Sequence, residues 1–149
     1  MPEQSLPEQS YASHTKWVPL FHFVVGPLIF LTFIGSIVNL IQSIGDHERI
    51  YSASLITAIS FAMIFVLLFG RLFALGAQNR VIRAEENMRH YFMTGKPLDA
   101  RITVSQTVGL RFASDAEFVA LARRAAEQGM SRGEIKKAIQ NWRADHDRL

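Results

Sequence analysis

WVPLFHFVVGPLIFLTFIGSIVNLIQSI (residues 17–44) is followed, after the five residues GDHER, by IYSASLITAISFAMIFVLLFG (residues 50–70). Neither stretch contains a charged side chain. The apolar centre of the first, residues 20–41, is 22 residues long. About 20 residues of α-helix cross the hydrocarbon core of a bilayer. Residues 72–75 extend the second stretch to a similar length. A buried helix of a soluble core is the ordinary explanation of one apolar run. Two such runs on either side of a five-residue connection point instead to two membrane spans. Lipid offers backbone N–H and C=O groups no partner, so the spans must be helices. A cleaved leader is a poor fit, because Glu3 and Glu8 precede the first run where a basic segment is expected. The spans are therefore read as residues 17–43 and 50–75, a transmembrane hairpin over 17–76, preceded by a disordered tail over 1–16.

Sidedness follows from lysine and arginine near the span ends. Lys16, Arg71, Arg80 and Arg83 flank one side, and Arg49 alone lies in the connection. The positive-inside rule then places both termini in the cytoplasm, which in a bacterium means the inner membrane. Trp17 and Tyr51 stand where interfacial aromatics sit. Pro27, after Gly26, lacks a backbone donor and is expected to distort the first span.

Polar residues inside spans are the first place to look for function. Neither core contains Asp, Glu, Lys or Arg. His22 has the chemistry to relay a proton or bind a cofactor, but its position one turn into the span favours an interfacial, neutral ring. Ser54, Ala58 and Ala62 recur at four-residue spacing, and Thr32, Gly35 and Ser36 stand together on the first span. Small residues at that spacing let helix backbones approach. Packing within the hairpin is the favoured reading of this stripe, with packing on another copy or another membrane subunit second.

The charge lies after the spans. From Arg71 onward there are 14 Lys or Arg and 9 Asp or Glu, a balance of +5, against +3 for the whole chain. The second helix is expected to continue past the membrane to about residue 93, with residues 77–95 as an amphipathic stalk. Ala77, Val81, Ala84, Met88, Tyr91 and Phe92 share one face. Gln78, Arg80, Arg83, Glu86, Asn87 and Arg89 populate the other. Glu85 with Arg89 and Glu86 with His90 are i,i+4 pairs. The apolar stripe needs a cover: the membrane surface, the rest of the chain, or another chain.

Residues 96–149 are read as a small three-helix cytoplasmic module. Thr103/Gln106, Ser114/Glu117 and Ser131/Glu134 all have capping-box spacing, which predicts helices over 103–112, 114–128 and 131–146. Gly129 is placed for a left-handed C-cap. Phe118, Leu121, Ala122 and Ala125 form one apolar face; Ile135, Ala138, Ile139 and Trp142 form another. So short a module needs support from the stalk, the membrane or a partner.

The last two helices allow a helix-turn-helix reading, with Arg132, Lys136, Lys137, Gln140 and Arg143 displayed toward nucleic acid. Glu127, Glu134, Asp145 and Asp147 dilute that face, and Gln128 stands where an apolar residue normally precedes the turn glycine. A docking surface for protein or anionic headgroups is preferred, since basic residues near a cytoplasmic leaflet gain about 1 kcal/mol each. Asp46, His47 and Glu48, and Asp145, His146 and Asp147, are metal-ligand types, but neighbours in short exposed segments rarely converge on one ion. There is no cysteine, which excludes thiolate chemistry and disulfides. No nucleophile–base pair or phosphate loop is visible. An enzyme is not expected, and no cofactor or metal is implied.

The segments PEQSYASHTKWVPLFHF, GRLFALGAQNRVIRAEENMR and LRFASDAEFVALARRAAEQGMSRGEIKKAIQNWRADHDR resemble an uncharacterised bacterial family of two-span membrane proteins, a domain of unknown function. The resemblance implies a layout and a membrane location; it brings no activity or site residues. The tandem PEQSLPEQS departs from the single copy of that family. These readings converge on an all-α inner-membrane interaction protein, an accessory subunit or homo-oligomer. Its partners are the bilayer and itself or another membrane protein, and the residues expected to carry contact are Ser54, Ala58, Ala62, Val81, Met88, Lys136, Lys137, Trp142 and Arg143. The alternatives are a membrane-tethered nucleic-acid binder using residues 114–147, or a small transporter subunit.

Overall fold

The computed structural model describes Ser10, Tyr11 and residues 17–145. The tail expected over 1–16 lies outside them apart from Ser10 and Tyr11, as do His146 and Asp147. Helix is the only regular secondary structure among the described residues; a single isolated bridge pairs Ala113 with Trp142. A π-helical turn, Leu20–Val25, leads into α1, Gly26–Gln42. Then come α2, His47–Thr94; α3, Val104–Leu110; α4, Asp115–Gln128; and α5, Arg132–Ala138. The chain divides into two compact units, Trp17–Leu75 and Gly76–Leu149 with Met1–Lys16.

In the first unit Pro27 occupies the first turn of α1. It has no N–H to give to the preceding turn, and the backbone there winds wider, as the expected distortion requires. Gly45 turns the chain at φ +94°, and the carboxylate of Asp46 accepts the backbone N–H groups of Glu48 (3.1 Å) and Arg49 (3.3 Å). Asp46 is thus a helix cap for α2. α1 and the first half of α2 meet through Thr57, whose hydroxyl donates to Ser36 O at 3.0 Å and to Ala53 O at 2.9 Å. Phe33 meets Phe61 at 5.6 Å, and the Arg71 guanidinium lies 5.8 Å from the Phe21 ring. The register is antiparallel: each step back along α1 meets a step forward along α2.

The buried small residues of this contact are Ala53, Ser60, Ser36 and Ser43. Ser54, Ala58 and Ala62 are exposed, which corrects their assignment to packing between the two helices. The expected four-residue spacing is present, but the face in contact is the neighbouring one. Thr57 selects it, because its hydroxyl reaches a carbonyl of the other helix from that face only.

The second unit contains the apolar core: Ile102, Leu110, Phe112, Phe118, Leu121, Ala122, Ala125, Ile135 and Ile139. The capping boxes at Thr103/Gln106 and Ser131/Glu134 form, and Gly129 ends α4 in the left-handed region at φ +62°. Ser114 stands at the N-cap of α4 without making a capping hydrogen bond from its side chain. Its expected partner, Glu117, instead accepts the backbone N–H groups of Gln140 (3.1 Å) and Asn141 (3.0 Å).

That diversion corrects the last helix. Instead of running to residue 146, α5 stops at Ala138, and Ile139 is extended at ψ 126°. Extended backbone there is paired: Ser114 N–H donates to Asn141 O (3.0 Å) and Arg143 N–H donates to Phe112 O (2.8 Å). The predicted apolar face of a long helix fails at Trp142, which lies over Phe112 with ring centroids 5.0 Å apart.

Candidate interaction surface

Residues 76–94 of α2 belong to the same compact unit as α3, α4 and α5. Their polar side, rather than their apolar side, packs inward. Ile82 and Glu86 are each 6% exposed. Asn87 accepts the Leu98 N–H at 2.9 Å, which draws the chain after α2 against the helix. The expected pairs Glu85–Arg89 and Glu86–His90 give way to an i,i+3 pair and to contacts with the start of α4. Arg89 Nη1 donates to Glu86 Oε2 (2.9 Å), its Nε to Asp115 Oδ1 (2.8 Å), and its Nη2 to Ala113 O (2.8 Å). Its guanidinium lies 4.3 Å from the Phe118 ring centre. His90 Nδ1 is 2.8 Å from Lys96 O.

Arg89 therefore ties the helix to the start of α4 through three partners, Asp115, the Ala113 carbonyl and the Phe118 ring. Breaking a buried charge pair by removing one member costs about 3–5 kcal/mol, because the other is left uncompensated. Glu86 would be that survivor. Burial raises its carboxyl above the ordinary value of 4.5, with Arg89 pulling in the opposite direction. Asp115 is exposed, and its hydrogen bond from Arg89 holds its carboxyl below the usual carboxylate range. Arg143 Nη1 stands 3.9 Å from Glu86 Oε1, and Arg111 Nε is 3.1 Å from Asp145 Oδ2. These groups line an open cleft of about 740 Å³ between α2 and residues 111–145, with both charge signs on its wall.

The stripe expected on the other side of α2 is uncovered by α3, α4 and α5. Val81 is 56%, Met88 60% and Phe92 80% exposed, and Tyr91 is exposed as well. Of the basic residues expected at the surface, Lys136 is buried, its Nζ 4.9 Å from the Phe112 ring. Lys137 is exposed, its Nζ 5.9 Å from the Tyr11 ring. Arg143 and Trp142 lie beyond α5, so Arg132, Lys136, Lys137, Gln140 and Arg143 share no helical face. The helix needed to enter a groove of nucleic acid is two turns long, and one of its two lysines faces the core. His22 Nδ1 lies 2.9 Å from Val18 O, engaged with its own backbone turn. Among the described residues no group of three His, Cys, Asp or Glu could hold a metal.

Sequence reasoning missed Ile82, Glu86, Arg89, Arg111 and Asp115 as the residues that join α2 to the rest of its unit. The available signal was Ile82, an apolar residue within the charged run QNRVIRAEE.

The molecule is thus an all-α protein, and among the described residues two helices, Leu20–Gln42 and His47–Thr94, are long and apolar enough to cross a membrane. The chain belongs to the family of unknown function DUF6526, whose model matches residues 6–149. No curated protein and no solved structure gives a match.

Proposed function

We propose that this chain is a membrane-anchored interaction protein with no chemistry of its own. Residues 17–75 form a transmembrane hairpin in the cytoplasmic membrane, with both termini in the cytoplasm. Residues 76–149 present a helical docking surface there. The supporting observation is where the apolar side chains of the two long helices point. In the most apolar window of each, only 6% and 11% is buried within the chain. Phe30, Leu31, Ile41, Ile59, Val66 and Phe73 all face outward. Soluble monomers rarely expose contiguous apolar patches above a few hundred Å², and a helix that is apolar all round needs either a protein core or lipid around it. Lipid satisfies these helices without any further chain. The docking role draws support from the uncovered stripe at Val81, Met88, Tyr91 and Phe92, on the part of α2 that carries charges.

Alkaline carbonate washing of membranes from expressing cells tests the anchor. The chain is expected to stay in the pellet and to enter solution only with detergent. Recovery of a monomer in the carbonate supernatant ends this reading.

A further inference from the structure

The exposed stripe on α2 has a spacing that is finer than a generic helical face. Ala77, Val81, Ala84, Met88 and Tyr91 alternate steps of four and three, the 3.5-residue repeat of a two-stranded coiled coil. In that frame Val81 and Met88 are a positions, and Ala77, Ala84 and Tyr91 are d positions. Ile82, Glu86 and Arg89, the residues packed against the rest of their unit, fall at b and f, off the seam; Val81, Glu85 and Met88 border the clefts beside that contact and stay exposed. The fold has therefore used the b and f side of this helix and left the seam open.

The flanks of the seam identify its occupant. Arg80 is a g position and Glu85 the e position of the following heptad. Both are exposed, and neither makes an ion pair among the described residues. In a parallel pair of helices the g residue of one faces the e residue five places on in the other. Arg80 of one copy would meet Glu85 of a second, and by symmetry the reverse. The flanks are self-complementary only in the parallel arrangement, which is also the one that copies sharing a single membrane orientation must adopt. We propose that the stalk, residues 77–92, is the dimerisation seam of the protein and that its occupant is the same stalk of a second copy. This rests on the membrane anchor proposed above. Little more than two heptads are short for association in free solution, but confinement to one membrane raises the effective concentration of the two stalks.

Because the chain lacks cysteine, single-cysteine variants report without background. The experiment oxidises membranes holding the full chain with Val81→Cys, Ala84→Cys, Met88→Cys or, as an outward-facing control, Arg83→Cys. The seam predicts disulfide-linked dimer at positions 81, 84 and 88, at several-fold the yield of position 83. Within the Met88→Cys background, Arg80→Glu opposes like charges across both flanks and should cut the yield about fivefold, two exposed charge pairs being reversed together. Adding Glu85→Arg should restore it, a rescue that only an Arg80–Glu85 contact between copies gives. Equal yield at all four positions, absence of dimer from chain that pellets with the membrane, or failure of the double exchange to rescue overturns the seam and leaves the anchor standing. Chain recovered from the carbonate supernatant overturns both.

Discussion

At the scale of single residues, Glu86 and Arg89 behave contrary to their appearance in the sequence. Charged residues on an amphipathic helix ordinarily face water, yet here they are the inward side. Burial disfavours the ionised form of Glu86, so the folded state holds its proton to higher pH than the unfolded chain does. The stability this gives is fully present below the ordinary carboxylate value near 4.5 and is lost as pH rises through the raised value. Asp115 has the opposite sign: its contribution is present above the ordinary value and is lost as pH falls through the depressed one. Glu86→Gln removes only the first. The stability of the wild type relative to Glu86→Gln is therefore expected to fall as pH rises above 4.5. Thermal unfolding in detergent, read by Trp142 fluorescence in a Trp17→Phe background, measures it. A difference that stays flat across that range shows that Glu86 is not shifted.

Among the elements, the crossing of α3 and α5 has the least room. A Cβ at Gly109 would lie 3.2 Å from Arg132 O and 3.2 Å from Ile135 Cγ2. One of those neighbours is backbone and does not move aside easily. Gly109→Ala is predicted to destabilise the second unit by roughly 1–3 kcal/mol through overpacking. Gly133, within α5, would meet only Ser131 Oγ, at 4.0 Å. Gly133→Ala should be neutral or stabilising by roughly 0.5–1 kcal/mol, because alanine loses less backbone freedom in a helix. The same Trp142 signal separates the two, and equal effects would refute the close crossing. Two of the three helix starts in this region were legible from their capping boxes, since a cap is a local bargain between a hydroxyl and amides three residues away. The third pattern, Ser114 and Glu117, reads identically in sequence. Its glutamate serves Gln140 and Asn141, more than twenty positions along, and no local rule reveals that.

For the whole molecule, the proposed layout makes a prediction about sidedness. With both termini cytoplasmic, a cysteine at His47, in the connection between α1 and α2, should react with a membrane-impermeant maleimide in intact cells. One at Ser131 should react only after the membrane is opened. Labelling at Ser131 but not at His47 in intact cells would invert the arrangement.

The sequence alone determined the helical class, the two long apolar helices, the continuation of the second to Thr94, and the capped starts of α3 and α5. Each of these depends on composition or on residues within about a turn of one another. Only the tertiary structure decided which face of each helix is used. Thr57 reaches Ser36 and so leaves Ser54, Ala58 and Ala62 outside; Glu86 and Arg89 turn inward to Asp115 and Phe118; and the chain after Ala138 pairs with residues 112–114 instead of remaining helical. A helical face is a matter of some tens of degrees. Hydrogen bonds to distant residues choose among neighbouring faces whose local preferences are nearly equal.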